Sequence, residues 1–160
     1  MPAAPPSPEL SWSGWGDPAQ AAPLPAALRV LLRETLGIRR QTPVPGGLQA
    51  VRLEAIRLPA GTRATLAAIV GDEHSRSDHA ARVRHALGKS TLDLLALRGG
   101  GPLPAPDLVL MPKSHDQVVA LLDVCTEHRV AVVPFGGGTS VVGGWPPRPQ
   151  TGSPEWWRST

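Results

Sequence analysis

The chain of 160 residues has no tyrosine, one phenylalanine, one cysteine and a small net charge of +3, and each scarcity removes a class of function. A lone Cys125 rules out an internal disulfide framework, leaves a cysteine zinc site without ligands and points to a reducing compartment. Nucleic-acid binders need stacking platforms and a basic stripe. Here the bases are scattered among 13 acids, and aromatics make up 4% of the chain, so no nucleic-acid partner is expected. A small basic adaptor for RNA or acidic protein is the alternative of that class. No apolar run approaches membrane-spanning length, and the opening Pro2, Pro5, Pro6 and Pro8 lack the basic and apolar regions of a secretory signal. The expectation is a cytoplasmic protein without a transmembrane segment. His74, His79 and His85 are spaced by five and six, which does not stack imidazoles on one helix face, so no metal site is expected.

What the chain does have is glycine and proline, 17 and 19, gathered at its two ends and at a few joints. The richest stretch is Ala131 to Gly144, AVVPFGGGTSVVGG. Val132 and Val133 read as a strand feeding a loop, and glycines let backbone N–H groups approach a ligand and form an anion-binding concavity. Three nucleotide loops compete for it. A Walker pattern from Gly138 needs Lys where Gly144 stands, and a dinucleotide fingerprint from Gly136 needs a glycine where Val141 stands. Gly88-Lys89-Ser90-Thr91 looks like half a Walker motif, but Val83 occupies the place of its first glycine. What remains is a strand followed by Pro134, Phe135, Gly136, Gly137, Gly138, Thr139 and Ser140.

Upstream, residues 1–10 form a Pro/Ala tract expected to be disordered. Trp12 and Trp15 then suggest an irregular arm anchored by indoles. Leu24, Leu28, Leu31, Leu32 and Leu36 recur at helical spacing, with Gly37 as the C-cap; Arg29, Arg33, Arg39 and Arg40 read as a solvated face and helix end, before a joint at Pro43 to Gly47. Val51 to Leu58 reads as a short strand, Pro59-Ala60-Gly61 as a turn, Leu66 to Val70 is ambiguous, and 77–87 is helical at best. Thr91 to Gly101 reads as a short buried element ending in a flexible joint.

Leu108-Val109-Leu110-Met111 is an apolar run of strand length. Ser114 followed by Gln117 is a capping-box pattern that should start a helix, with Val118, Leu121, Leu122 and Cys125 as one apolar stripe. Cys125 is thus a buried small hydrophobe. His128-Arg129 close the helix, and Ala131 to Phe135 supplies a second strand. Strand, helix, strand predicts a parallel βαβ unit with the glycine loop at the carboxyl end of its second strand, where α/β sheets bind ligands.

In order, Gly88-Lys-Ser, Leu97-Arg98-x-Gly, Pro106-Asp107-Leu-Val-Leu-x-Pro112, His115-Asp-x-Val-Val and Pro134-x-Gly-Gly-Gly-Thr-Ser-Val141 resemble the flavin-binding oxidases of the vanillyl-alcohol oxidase/p-cresol methylhydroxylase (PCMH) type, in particular the alkyldihydroxyacetonephosphate synthases and bacterial FAD-linked oxidases. The resemblance implies an α/β fold (α+β at the level of the family), with this chain as the N-terminal βαβ subdomain of a PCMH-type FAD-binding domain between disordered termini. It implies FAD as cofactor, with Pro134 to Ser140 wrapping its pyrophosphate. Residues 11–101 become a helical arm and approach, and 102–144 an incomplete FAD-binding subdomain. The loop holds no histidine for covalent attachment of flavin.

The family's reactions are ether-lipid synthesis and oxidation of 2-hydroxy acids such as lactate or glycolate, so a small-molecule or lipid-precursor substrate is implied for full-length relatives. No catalytic residue is identified in this chain. Residues 145–160 depart from the family pattern and suggest a truncated or frame-shifted reading, inactive alone. A non-catalytic nucleotide-binding module is the other alternative.

Overall fold

The computed structural model describes residues 10–38 and 46–142. The described elements are the helices α1 (Ala26–Leu36), α2 (Ala60–Val70), α3 (His79–Arg84), α4 (Thr91–Arg98) and α5 (His115–Glu127), and the strands β1 (Ser75–Arg76) and β2 (Val109–Leu110). Short 3₁₀ turns cover Pro18–Gln20, Leu48–Ala50 and Asp72–His74. The expectations for 1–9, Arg39 to Pro45 and 143–160 lie outside the described residues.

The leucine spacing did predict α1, which starts after Pro25 and ends at a left-handed Gly37 whose N–H reaches the Leu32 carbonyl. Its stripe is not a core stripe, however, because no residue of α1 is buried. The core consists of two clusters. The first joins Val51, Val83, Leu97 and Leu103, with Trp12 and Leu87 packed against it; the second joins Leu66 and Val70 of α2 to Leu121 and Cys125 of α5. The Trp12 arm is therefore anchored by its indole, as expected.

Helix α2 replaces the predicted turn at Pro59-Ala60-Gly61 and resolves the ambiguous run after it. Thr62, Leu66 and Val70 are its buried residues, one every fourth position, and Pro59 caps its start. On α5, Ser114 accepts from the Gln117 N–H as the capping pattern requires. The Gln117 side chain does not reach back to Ser114, because its Oε1 accepts from Lys113 N–H at 2.7 Å and its Nε2 donates to the Ile69 carbonyl at 2.9 Å. That pairing locks α5 to the end of α2. The predicted stripe also divides: Leu121 and Cys125 face α2, while Val118 and Leu122 stay exposed.

The apolar run at 108–111 yields β2, but its partner is β1, antiparallel, with Ser75 opposite Leu110 and Arg76 opposite Val109. Val51 to Leu58 contributes a single parallel bridge, Leu53 to Leu103, flanked by Glu54 N–H to Leu103 O and Leu103 N–H to Arg52 O, each 2.9 Å. The second strand of the βαβ unit does not form among the described residues, since Ala131–Phe135 carries no strand assignment. A strand exists only where a neighbour closes its ladder. The described residues give 131–135 no such neighbour, β2 being paired with β1. The mixed helix-and-strand class stands, with the glycine loop leaving the far end of α5. No helix among the described residues is long and apolar enough to cross a membrane.

Candidate functional site

The glycine loop is delivered by the end of α5. His128 caps that helix, Arg129 turns the chain with a left-handed φ of 54°, and Val130 N–H closes on the Cys125 carbonyl at 2.8 Å. Cys125 is buried under this turn, and burial pushes its thiol pKa up, so it is an inert packing residue. From Val130 the backbone runs to Pro134 and then into the loop.

Pro134 to Ser140 are brought together as one exposed loop, with Gly138 half-buried. Two of its three glycines serve different ends. Gly138 has a φ of +65°, and a Cβ there would lie 2.8 Å from the Phe135 ring, so the chain's own packing demands glycine. Phe135 lies over Gly138 and also packs against His85, ring centroids 4.5 Å apart and tilted by 51°. Gly136 has no such demand: its φ is not left-handed, and a Cβ on it meets nothing within 4 Å. Gly137 is nearly as open, with the Thr139 methyl at 3.8 Å. Among the described residues, no acceptor receives the backbone N–H of Gly136, Gly137, Gly138, Thr139 or Ser140.

These features fit a diphosphate. Open N–H donors, two hydroxyls and a backbone left uncovered at 136 and 137 are the donor set an anion cradle needs, without a side-chain charge of its own. The loop's far end is fixed by the Lys89 N–H, which donates to the Ser140 carbonyl at 2.6 Å. Lys89 is half-buried, and this burial, followed by the charge of Arg84, lowers its pKa.

The support around the loop was not legible as a site. Gly88-Lys89-Ser90-Thr91 is correctly no Walker motif; it is the start of α4. Ser90 Oγ accepts from Asp93 N–H and Asp93 Oδ2 accepts from Ser90 N–H, both at 3.1 Å, a complete capping box. The spacing Ser90-x-x-Asp93 was the available signal. The three spaced histidines have separate partners: His79 Nε2 meets the Val51 carbonyl, His85 Nδ1 the Ala81 carbonyl, and His74 lies beside Glu73. Among the described residues no cluster of His, Cys, Asp and Glu could hold a metal ion.

Comparison with known proteins finds a family match that spans the loop. Residues 106–151 match a family described as an FAD binding domain. Alkyldihydroxyacetonephosphate synthase of Trypanosoma brucei brucei is 29% identical over 162 residues, covering 88% of this chain and 26% of that protein. Protein Rv2250A of Mycobacterium tuberculosis is 39% identical over 105 residues, 66% of this chain and 70% of that protein. A solved structure of alkyldihydroxyacetonephosphate synthase superposes with a TM-score of 0.67 at 26% identity, over 84% of this chain and 29% of that one. The chain thus spans about a quarter of the length of the synthases it matches.

Proposed function

Because the chain belongs to the FAD-binding family of the alkyldihydroxyacetonephosphate synthases and FAD-linked oxidases, we propose that its loop from Pro134 to Ser140 grips the FAD pyrophosphate. The observation that carries this reading is the pair Gly136 and Gly137, glycines whose absent Cβ atoms the protein's own packing does not need. A ligand pressed against the backbone accounts for them.

In this reading Gly136, Gly137 and Gly138 present N–H donors to the phosphate oxygens, and Thr139 and Ser140 add hydroxyls. Pro134 stiffens the approach, and Phe135, seated on His85, holds the loop open. Charge-assisted hydrogen bonds of this kind contribute about 1.5–3 kcal/mol each. When bound, FAD supplies a two-electron acceptor; this chain's residues bind and orient it. Residues 102–144 form the FAD-binding segment, and 11–101 the arm and approach that brace it. The buried free thiol of Cys125 accords with a reducing, cytoplasmic setting. Within a complete enzyme the activity would be alkyl transfer of the synthase kind or oxidation of a small hydroxy acid.

A second reading, a stand-alone flavin-binding module, is favoured by the M. tuberculosis relative, of which 105 matched residues make up 70%. That relative is itself a short chain. One titration separates the two: the purified 160-residue chain with FAD, followed by flavin fluorescence and circular dichroism, in which no binding removes the stand-alone module and leaves the loop to a longer enzyme. Saturable binding that Gly137→Val abolishes supports the loop and the module together. Binding that Gly137→Val leaves unchanged removes the loop from the site.

A further inference from the structure

Lys89 uses every polar group it has to join two distant segments. Its backbone N–H holds the Ser140 carbonyl at 2.6 Å, its Nζ donates to the carbonyls of Ser11 and Trp12 at 2.5 and 3.1 Å, and its own carbonyl accepts from the Trp15 indole N–H at 2.9 Å. The arm that meets it is itself closed, Ser11 N–H bonding the Gly16 carbonyl at 2.9 Å. Gly88 makes the approach possible. A Cβ there would lie 2.8 Å from the Ser140 carbonyl oxygen, closer than a side chain tolerates, and 3.0 Å from Asp93 Oδ2, a tight contact, and Gly88 has no left-handed φ to explain it otherwise. The glycine is required by the loop's proximity.

We infer that the N-terminal arm, residues 11–16, is a positioning element for the flavin loop, acting through Gly88 and Lys89 on Ser140. The inference rests on the reading of 134–140 as the FAD loop and adds a control that the loop's own sequence does not contain. Trp15 shows why the arm is more than packing: it is 62% exposed, so its indole contributes little burial and its directed contact is the hydrogen bond to Lys89. The carbonyls of Ser11 and Trp12 anchor the ammonium, which fixes the Lys89 backbone, which in turn fixes where the last residues of the cradle stand. A backbone cradle binds through the mutual placement of its donors, so a displaced Ser140 weakens FAD without unfolding the domain.

The test uses the whole 160-residue chain in four variants: Gly88→Ala, Trp15→Phe, Lys89→Met and Lys89→Arg. Gly88→Ala should raise the FAD dissociation constant about tenfold or more, a loss equal to about one neutral hydrogen bond. Trp15→Phe and Lys89→Met should raise it several-fold while leaving the thermal midpoint of the flavin-free chain nearly unchanged. Lys89→Arg, which can still donate to both carbonyls, should restore most of what Lys89→Met loses; a merely structural lysine would not show that rescue. In flavin-free protein, the amide resonances of 136–140 should move in Trp15→Phe, which is remote from them in sequence.

Unchanged FAD affinity in Trp15→Phe and Lys89→Met, with wild type binding, would overturn the arm's role and leave the loop reading standing. If wild type binds no FAD, the stand-alone module fails, while the loop reading within a longer enzyme is left standing. The amide resonances still decide the inference in that case: movement in Trp15→Phe upholds the arm-to-loop linkage, and its absence overturns it.

Discussion

Arg82 is buried with its Nε donating to the Pro106 carbonyl at 2.8 Å, and its Nη2 reaches the Glu54 carbonyl at the same distance. One guanidinium thereby ties α3 to the segment entering β2 and to the segment after Val51. Asp107 supports the same junction, its Oδ2 accepting from the Arg57 and Leu58 N–H groups at 3.2 and 2.8 Å. This junction links the segment that leads from the first cluster, after Val51, to the segment entering β2 beside the second.

Arg82 bonds the two carbonyls through two separate nitrogens of a planar fork, whereas a lysine would have to reach both from one nitrogen. Arg82→Lys should cost about 1.5–3 kcal/mol, the range for hydrogen bonds to charged groups. Urea unfolding followed by circular dichroism measures it; a loss below about 0.5 kcal/mol, the range of ordinary surface changes, would mean the fork is not used.

The loop glycines should separate into two kinds. Gly138→Ala places a Cβ against the Phe135 ring at a left-handed φ, which should cost about 1–2 kcal/mol in the flavin-free chain. Gly136→Ala should leave stability within about 0.5 kcal/mol of wild type, as for other exposed positions. Its effect should appear in FAD affinity instead, weakened about tenfold or more. Equal stability losses at the two positions would contradict the cradle.

Asp78 caps α3, accepting from Ala81 N–H at 3.0 Å and pairing with the Arg76 guanidinium at 2.8 Å. The Arg76 hydrogen bond first, and the Ala81 N–H second, hold its pKa below 3.8. A depressed carboxylate contributes stability that is present above the unfolded-state pKa and lost as pH falls through the folded one. Loss of this N-cap in Asp78→Ala should cost about 1 kcal/mol near neutrality, and the gap to wild type should narrow below the ordinary aspartate pKa. A gap that stays constant into strong acid would show that the charge contributes nothing.

Cys125 should react slowly with a thiol reagent in the native chain and quickly in denaturant, since burial raises its pKa and blocks access. Cys125→Ser buries a hydroxyl among Leu66, Val70 and Leu121 and should destabilise by about 1–3 kcal/mol. Native-state labelling as fast as unfolded labelling would place the thiol outside the second cluster.

Local chemistry made much of this legible. Ser114 with the apolar spacing after it marked α5, the leucine spacing marked α1, and 134–140 stood out because glycines in that density have few uses. Capping and periodicity act within one or two turns, so the sequence by itself determined these elements and the loop's position after α5. It also carried the unread signals of α2, at Thr62, Leu66 and Val70, and of the Ser90–Asp93 box.

Pairing and burial were decided only in three dimensions. Strand 109–110 took Ser75–Arg76 as its partner, not 131–135, because a ladder depends on which distant segment arrives. Helix α1 kept its apolar stripe in solvent, and α5 turned Leu121 and Cys125 inward in place of Val118 and Leu122. The reach of Lys89 from Trp12 to Ser140 crosses most of the chain. No local pattern encodes such a link, because its groups are ordinary until the fold removes them from water and sets them within hydrogen-bond distance.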